Sequence, residues 1–221
     1  MRTQPYIMQV DLEDKPCLVV GDGPIALHKT RSLVVSGAKV TVVSSSFHDG
    51  FDELSLDARH ERKFEDVDIE GMFLVHAATN HPDVNHRIAD ICSGQNIWCS
   101  VADDASKGTF GTPALLDLGD LRIAVSTNGL SPSYGARIRR EIGGLVPDHV
   151  NDYLHFLGDA RERSKAAISE LQLRMRFNTY LASEEGEQLF VASDNDALQT
   201  LVSELLARPE SIPEHFTPKW D

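Results

Sequence analysis

Two short stretches of this sequence hold residue types whose spacing matches a chemistry. The first is Cys17-Leu18-Val19-Val20-Gly21-Asp22-Gly23-Pro24-Ile25-Ala26. Its four leading apolar residues read as a strand buried on both faces. The G-x-G-x-x-A pattern that follows is the turn that brings backbone N–H groups against a pyrophosphate. Gly21 permits the tight turn, Gly23 removes a Cβ that would hold a phosphate away, and Ala26 lets a helix lie close to the strand. Pro24 suits the first helical turn, where its missing N–H costs nothing. The second stretch is Val101-Ala102-Asp103-Asp104. A carboxylate directly after a strand can serve as general acid or base if it reaches a substrate proton, or it can simply turn the chain and cap a helix.

These residues need elements to position them. Ile25, Ala26, Leu33 and Val34 recur at helical spacing, Gly37 stands where a helix ends, and Lys39–Ser44 reads as a second strand. Strand, glycine turn, helix and strand in about 30 residues make the βαβ unit that the glycine pattern requires. An acidic helix is expected over Phe47–Arg59 and a short strand at Glu61–Phe64, followed by a strand at Met72–Ala78. Pro82 opens a helix with Val84, Ile88, Ala89 and Ile91 on one face, and Ile97–Val101 forms a further strand. In a parallel sheet of this order, Ser44, Ser45, Ser46, Ala77–Asn80 (with Thr79 and Asn80) and Val101–Asp104 fall at one carboxyl edge, where open α/β sheets bind ligands. The acid expected at the end of the second strand, to hold a ribose, is absent. Ser44–Ser46 offer hydroxyls instead, and no Arg stands nearby to meet a 2′-phosphate, which favours NAD.

The pattern changes after Gly108. Thr109–Pro113 and Leu121–Ser126 read as extended segments around a DLGD turn, Ser131-Pro132 opens a helix to Leu145, and Pro147 opens another toward Arg163. The remainder is helix-rich with a break at Ser183–Gly186, and Pro209–Asp221 reads as irregular. Ser126–Pro132, with Thr127 and Asn128, is either a polar turn or a loop whose N–H groups meet carboxylates. Arg137, Arg139 and Arg140 form the densest cationic cluster of the chain, a surface feature unless the substrate is acidic.

Composition narrows the classes. A net charge of −13 speaks against nucleic acid, which needs a basic footprint. Much of the excess sits in residues 49–70, a solvated acidic face. No apolar run approaches ~18 residues and no leader pattern opens the chain, so neither membrane insertion nor secretion is indicated and the cytoplasm is the expected location. Cys17, Cys92 and Cys99 lie in apolar surroundings without a C-x-x-C spacing and read as buried free thiols. The nine histidines form no ligand pattern. His76 reads as a core residue, His81 and His86 are not spaced to share a helix face, and no metal site is assigned. Hydrolase elbows and Walker sequences are absent.

Taken in order, Pro5-Tyr6-Ile7 with Val10 and Leu12, Gly21–Ala26 with Lys29, Ser36-Gly37-Ala38 before Val40-Thr41-Val42, Ala77–Asn80 with Asn85, Cys99–Asp103, Phe110 with Pro113, and Val125-Ser126 with Gly129 and Ser131-Pro132 resemble the precorrin-2 dehydrogenase/sirohydrochlorin ferrochelatase family. The resemblance runs over about residues 5–160. It implies an α/β fold with a Rossmann-type parallel sheet domain (1–107), a small dimerisation region (108–145) and a helical C-terminal domain (146–221), working as a homodimer. It further implies NAD-dependent oxidation of the tetrapyrrole precorrin-2 to sirohydrochlorin, in some members followed by insertion of ferrous iron. The family's key aspartate falls on Asp103 and a later-loop hydroxyl on Thr127, while cofactor contacts fall on Pro24, Ile25, Ser45 and Ser46. The many carboxylates of the substrate give Arg137 and Arg140 a task. The chain departs from the family at Asp22, in place of a middle glycine, at Leu27-His28 and at Asn80. Two other readings remain: a non-enzymatic module that senses NAD, and a chelatase-only member.

Overall fold

Pro16–Val20 (β1), Lys39–Ser44 (β2), Ala58–Glu61 (β3), Leu74–Ala77 (β4) and Trp98–Val101 (β5) form one parallel sheet in the order β3-β2-β1-β4-β5. The computed structural model describes residues 5–218. Alternate residues of β1 face opposite ways, as strand geometry demands. Leu18 and Val20 pack with Val75, Ala77, Cys99 and Val101 under the helix Pro82–Gln95 (α2), through Ile88, Ala89 and Cys92. Cys17 and Val19 pack with Val40, Val42 and Leu74 under the helix Pro24–Val35 (α1), through Ala26 and Leu33. Because both faces are covered, the strands read as unbroken apolar runs. All three cysteines are buried free thiols, and burial lifts the Cys17 thiol to about 11.

His76 is buried on β4, in edge contact with Phe110. Burial, with the charge of Lys29 behind it, pushes its pKa down to about 3, so the ring stays neutral. Lys29 donates to Thr112 Oγ1, which ties the segment after Phe110 to α1.

Three expectations need correction. Phe47–Arg59 is not a helix: a single 3-10 turn, Asp49–Phe51, precedes β3, which lies at Ala58–Glu61 rather than Glu61–Phe64. Phe51 is buried edge-on to Phe47, and Arg59 lies over the Phe47 ring at 4.0 Å while reaching Asp52 at 2.5 Å. The acidic residues therefore sit around a charged edge strand, a device that discourages pairing with other chains. The C-terminal segment is not irregular throughout, since 3-10 turns at Pro209–Ser211 and Glu214–Phe216 insert Ile212 and Phe216 into a core; residues beyond Pro218 lie outside the described part.

The chain divides into two units. The first takes the chain up to Ala114 together with Ser126–Gly135; the second takes Leu115–Val125 and everything from Ala136 onward. Apart from Ala114, the hairpin Ala114–Leu118 (β6) and Leu121–Val125 (β7), turning at Gly119 with φ 87°, lies in the second unit. After Pro132–Gly143 (α3) that unit holds Val150–Ala167 (α4), Leu171–Leu181 (α5), Glu184–Ala192 (α6) and Asn195–Ala207 (α7). Ala160, Phe177, Leu181 and Val202 close its core. Among the described residues no helix is long and apolar enough to cross a membrane.

Candidate functional site

Every strand of the sheet runs the same way, so the glycine turn after β1, the serines after β2, Thr79-Asn80 after β4 and Asp103 after β5 share one edge. Strand order reverses between β1 and β4, the position where such sheets open a ligand crevice.

The glycine turn is built by close approach. Gly21 has φ 123°, and a Cβ there would lie 2.4 Å from the Ala78 carbonyl oxygen. Gly23 caps α1 with extended backbone, no side chain caps the helix, Pro24 sits in its first turn, and that turn carries no acid. A Cβ on Gly23 would meet nothing within 4 Å. Uncapped N–H groups facing open space are the arrangement that accepts an anion, so the residues present fit a dinucleotide's pyrophosphate. Ile25 is half exposed at the same turn. Asp22, the residue that departs from the usual glycine, accepts a hydrogen bond from Ser46 Oγ at 2.9 Å.

On the other side of the reversal, one buried amide organises the edge. Asn85, on α2, is fully buried. Its oxygen accepts from Thr79 N at 3.1 Å and Thr79 Oγ1 at 2.7 Å, and its nitrogen donates to Thr79 O at 3.0 Å and Asp103 Oδ1 at 2.5 Å. Both amide protons and both lone pairs are used. The right-handed β4-α2-β5 crossover brings the start of α2 over these strand ends, which is the signal in the sequence that points to Asn85 as a site residue. The next residue, His86, places Nε2 3.6 Å from Asp103 Oδ2; counting its spacing from His81 alone missed it.

Asp103 and Asp104 separate clearly. Asp104 Oδ1 accepts from Ser106 Oγ at 2.6 Å and Ser106 N at 2.9 Å, and these bonds hold its carboxyl below the usual range. It turns the chain. Asp103 points to Asn85 and keeps about a third of its side chain exposed.

The Thr127 loop closes on itself. Thr127 Oγ1 accepts from Ser131 N at 3.2 Å, Ser131 Oγ accepts from Tyr134 N at 3.3 Å, and Asn128 and Gly129 take φ of 52° and 77°. Thr127 and Asn128 belong to the first unit with Asp103, whereas Arg137 and Arg140 belong to the second. Arg137 pairs with Glu141 at 3.1 Å along α3, and Arg140 stands in its last turn, where a cation offsets the helix dipole. No group of three or more His, Cys, Asp and Glu side chains that could hold a metal occurs among the described residues.

Replacing Asn85 with Ala leaves the partly buried Thr79 N–H without its acceptor and frees Asp103, and is expected to lower stability by about 3 kcal/mol. Urea unfolding measures it; a loss under ~1 kcal/mol shows that the amide is not the edge's anchor.

Two family models match in succession: one described as "Putative NAD(P)-binding" over residues 8–114, and "Sirohaem biosynthesis protein central" over residues 119–145. Siroheme synthase 2 of Pectobacterium atrosepticum is 31% identical over 202 residues, which are 90% of this chain and 44% of that protein. A siroheme synthase of Thioalkalivibrio sulfidiphilus is 33% identical over 198 residues, 88% of this chain and 40% of that protein. The chain thus spans less than half the length of these curated relatives. Among solved structures, "SirC, precorrin-2 dehydrogenase" superposes with a TM-score of 0.74 at 24% identity, covering 94% of this chain and 100% of that one, and so shares the fold. The chain is thus similar, in order, to an NAD(P)-binding model and to a sirohaem biosynthesis central model.

Proposed function

We propose that the protein oxidises precorrin-2 to sirohydrochlorin with NAD, using Asp103 as the base. The observation that carries this reading is Asp103 itself. It is a carboxylate about one-third exposed at the ligand edge of a nucleotide-binding sheet, with one oxygen fixed to a buried amide and the other facing His86. When bound, the nicotinamide supplies the hydride acceptor. The chain's residues do the rest. Gly21, Gly23 and the start of α1 hold the pyrophosphate, Asn85 orients Asp103, and Asp103 Oδ2 takes the proton that leaves the substrate with the hydride. Thr127 and Asn128 contribute polar groups toward the substrate.

Anaerobic incubation with precorrin-2 and NAD, followed at the NADH absorbance, tests the reading. NADH should accumulate, and its absence with both NAD and NADP sinks the proposal. Ferrous iron insertion would call on the same carboxylate for pyrrole N–H protons; repeating the assay with ferrous ion reads it from a metal-dependent spectral change.

The choice of NAD rests on Asp22. β2 ends in serines, yet Asp22 reaches across from the glycine turn to Ser46, so a carboxylate stands at the β2 end after all, supplied from the neighbouring loop. There it accepts from ribose hydroxyls and repels a 2′-phosphate. Asp22→Asn keeps an acceptor for Ser46 and removes the charge. It is expected to narrow the NAD over NADP affinity ratio roughly tenfold, about 1.4 kcal/mol, in a calorimetric titration. An unchanged ratio removes Asp22 from cofactor selection.

The homodimer implied for residues 108–145 finds support in the β6-β7 hairpin, none of whose residues is buried. A two-stranded hairpin gains independent stability only when something covers it.

A further inference from the structure

The first turns of α2 set a second titratable side chain against Asp103. His86 Nε2 lies 3.6 Å from Asp103 Oδ2, too far for a hydrogen bond and well inside Coulomb range. That nitrogen is buried and makes no hydrogen bond, while the side chain as a whole is 36% exposed. A buried polar atom without a partner calls for a cause. Two acceptors facing one another provide it. A carboxylate oxygen and an unprotonated ring nitrogen stand apart while no proton lies between them, and one added proton lets them close to a hydrogen bond. An Nε2–H aimed at Oδ2 would instead make a charge-assisted bond at about 2.8 Å.

We propose that His86 is the proton-accepting partner of Asp103, resetting the carboxylate after each turnover. The inference rests on the reading of Asp103 as the base. As the hydride leaves for the nicotinamide, the substrate proton passes to Asp103 Oδ2. The O–H bond then breaks as an N–H bond forms with the Nε2 lone pair, and the imidazolium turns its partly exposed ring into water and gives up that Nε2 proton there, so that the Nδ1–H tautomer is restored before the next turnover. Each two-electron oxidation thus yields one reduced cofactor and one free proton.

The surroundings allow this. Asp103 Oδ1 is committed to Asn85, so only Oδ2 faces the ring. On α2 itself Asp83 and Asp90 stand three residues before and four after, and Arg87 is engaged with Asp66 of the 3-10 turn Asp66–Ile69 at 2.7 Å. On the β5 side Lys107, whose backbone N–H donates to Asp104 O at 3.1 Å, adds one cation near this turn. His86 acts through Asp103 and is a positioning and relay residue.

Two measurements test the proposal. Nitrogen-15 NMR of the ligand-free protein at alkaline pH reads the tautomer without any turnover: an unprotonated Nε2 is expected, and a protonated Nε2 overturns the proposal. In the anaerobic assay, His86→Gln is expected to lower kcat roughly 10- to 100-fold with KM unchanged. It should also change the shape of the pH–rate profile, because the proton on Asp103 then has no ring nitrogen to move to. Added imidazole should restore His86→Ala. Wild-type kcat and pH profile in a folded His86→Gln protein, or no rescue by imidazole, refute the relay. If the wild-type protein makes no NADH at all, the dehydrogenase reading fails instead, and the tautomer still decides the pairing.

Discussion

Replacing Asp103 with Asn is expected to cut NADH formation from precorrin-2 roughly a thousandfold, a loss of about 4 kcal/mol in transition-state stabilisation. The substitution is nearly isosteric. The Asn side-chain oxygen can still accept from Asn85 Nδ2, the 2.5 Å bond that fixes Asp103 Oδ1, so the turn after β5 keeps its anchor. What disappears is the basic oxygen facing His86. NAD affinity, set by the glycine turn and the β2 end, should stay within about twofold, and so should the unfolding midpoint, since an uncharged amide removes no buried partner. Turnover near the wild-type rate would reject Asp103 as base and leave the sheet edge without a proton acceptor. Loss of NAD binding along with turnover would place the residue in cofactor binding. Asp104→Asn supplies the contrast, because that carboxylate is occupied by Ser106 and its loss should affect the turn more than the rate.

What the sequence made legible follows from how local each feature is. The strand, glycine turn and helix at Cys17–Ala26 stand in the structure as the spacing predicts, because a buried strand, a turn needing positive φ and Pro in a first helical turn each leave a mark within ten residues. β3 left no such mark. It is short, lies at the sheet edge and presents Arg59, His60 and Glu61, so its alternation is hidden under charge and its pairing with β2 is decided by residues seventeen positions away. The site divides the same way. Asp103 could be singled out as a carboxylate after a strand, and the resemblance placed the key aspartate there, but the physical difference from Asp104 lies in the Ser106 turn and the Asn85 amide. Asn85 and His86 lie eighteen and seventeen residues before Asp103 and reach it only through the crossover. Asp22 read as a defect of the glycine pattern until Ser46, twenty-four residues on, showed where its carboxylate goes. In each case the contact is formed by topology, which composition and period do not encode.

Gly21→Ala is expected to have the largest effect on the fold, a loss of about 4 kcal/mol. The added Cβ would stand 2.4 Å from the Ala78 oxygen and 2.8 Å from its carbon, and both are backbone atoms with no flexible end to yield. The two chains cannot simply part. Gly21 N donates to Val43 O at 2.9 Å on one side, and Ala78 N donates to Val20 O at 2.9 Å on the other, so relief at Gly21 breaks a bond joining β1 to β2 or β4. A φ of 123° adds strain for any L side chain. Gly23→Ala is the matched control. Gly23 has φ −69° and ψ 174°, which Ala adopts freely, and a Cβ there meets nothing. Its unfolding free energy should fall within about 0.5 kcal/mol of wild type, while the new methyl stands where the pyrophosphate approaches and NAD affinity drops. Urea unfolding and NAD titration of both variants separate the two roles. A Gly21→Ala protein as stable as wild type would mean that β1 and β4 do not approach at this turn; a Gly23→Ala protein that binds NAD normally would move the dinucleotide away from the start of α1.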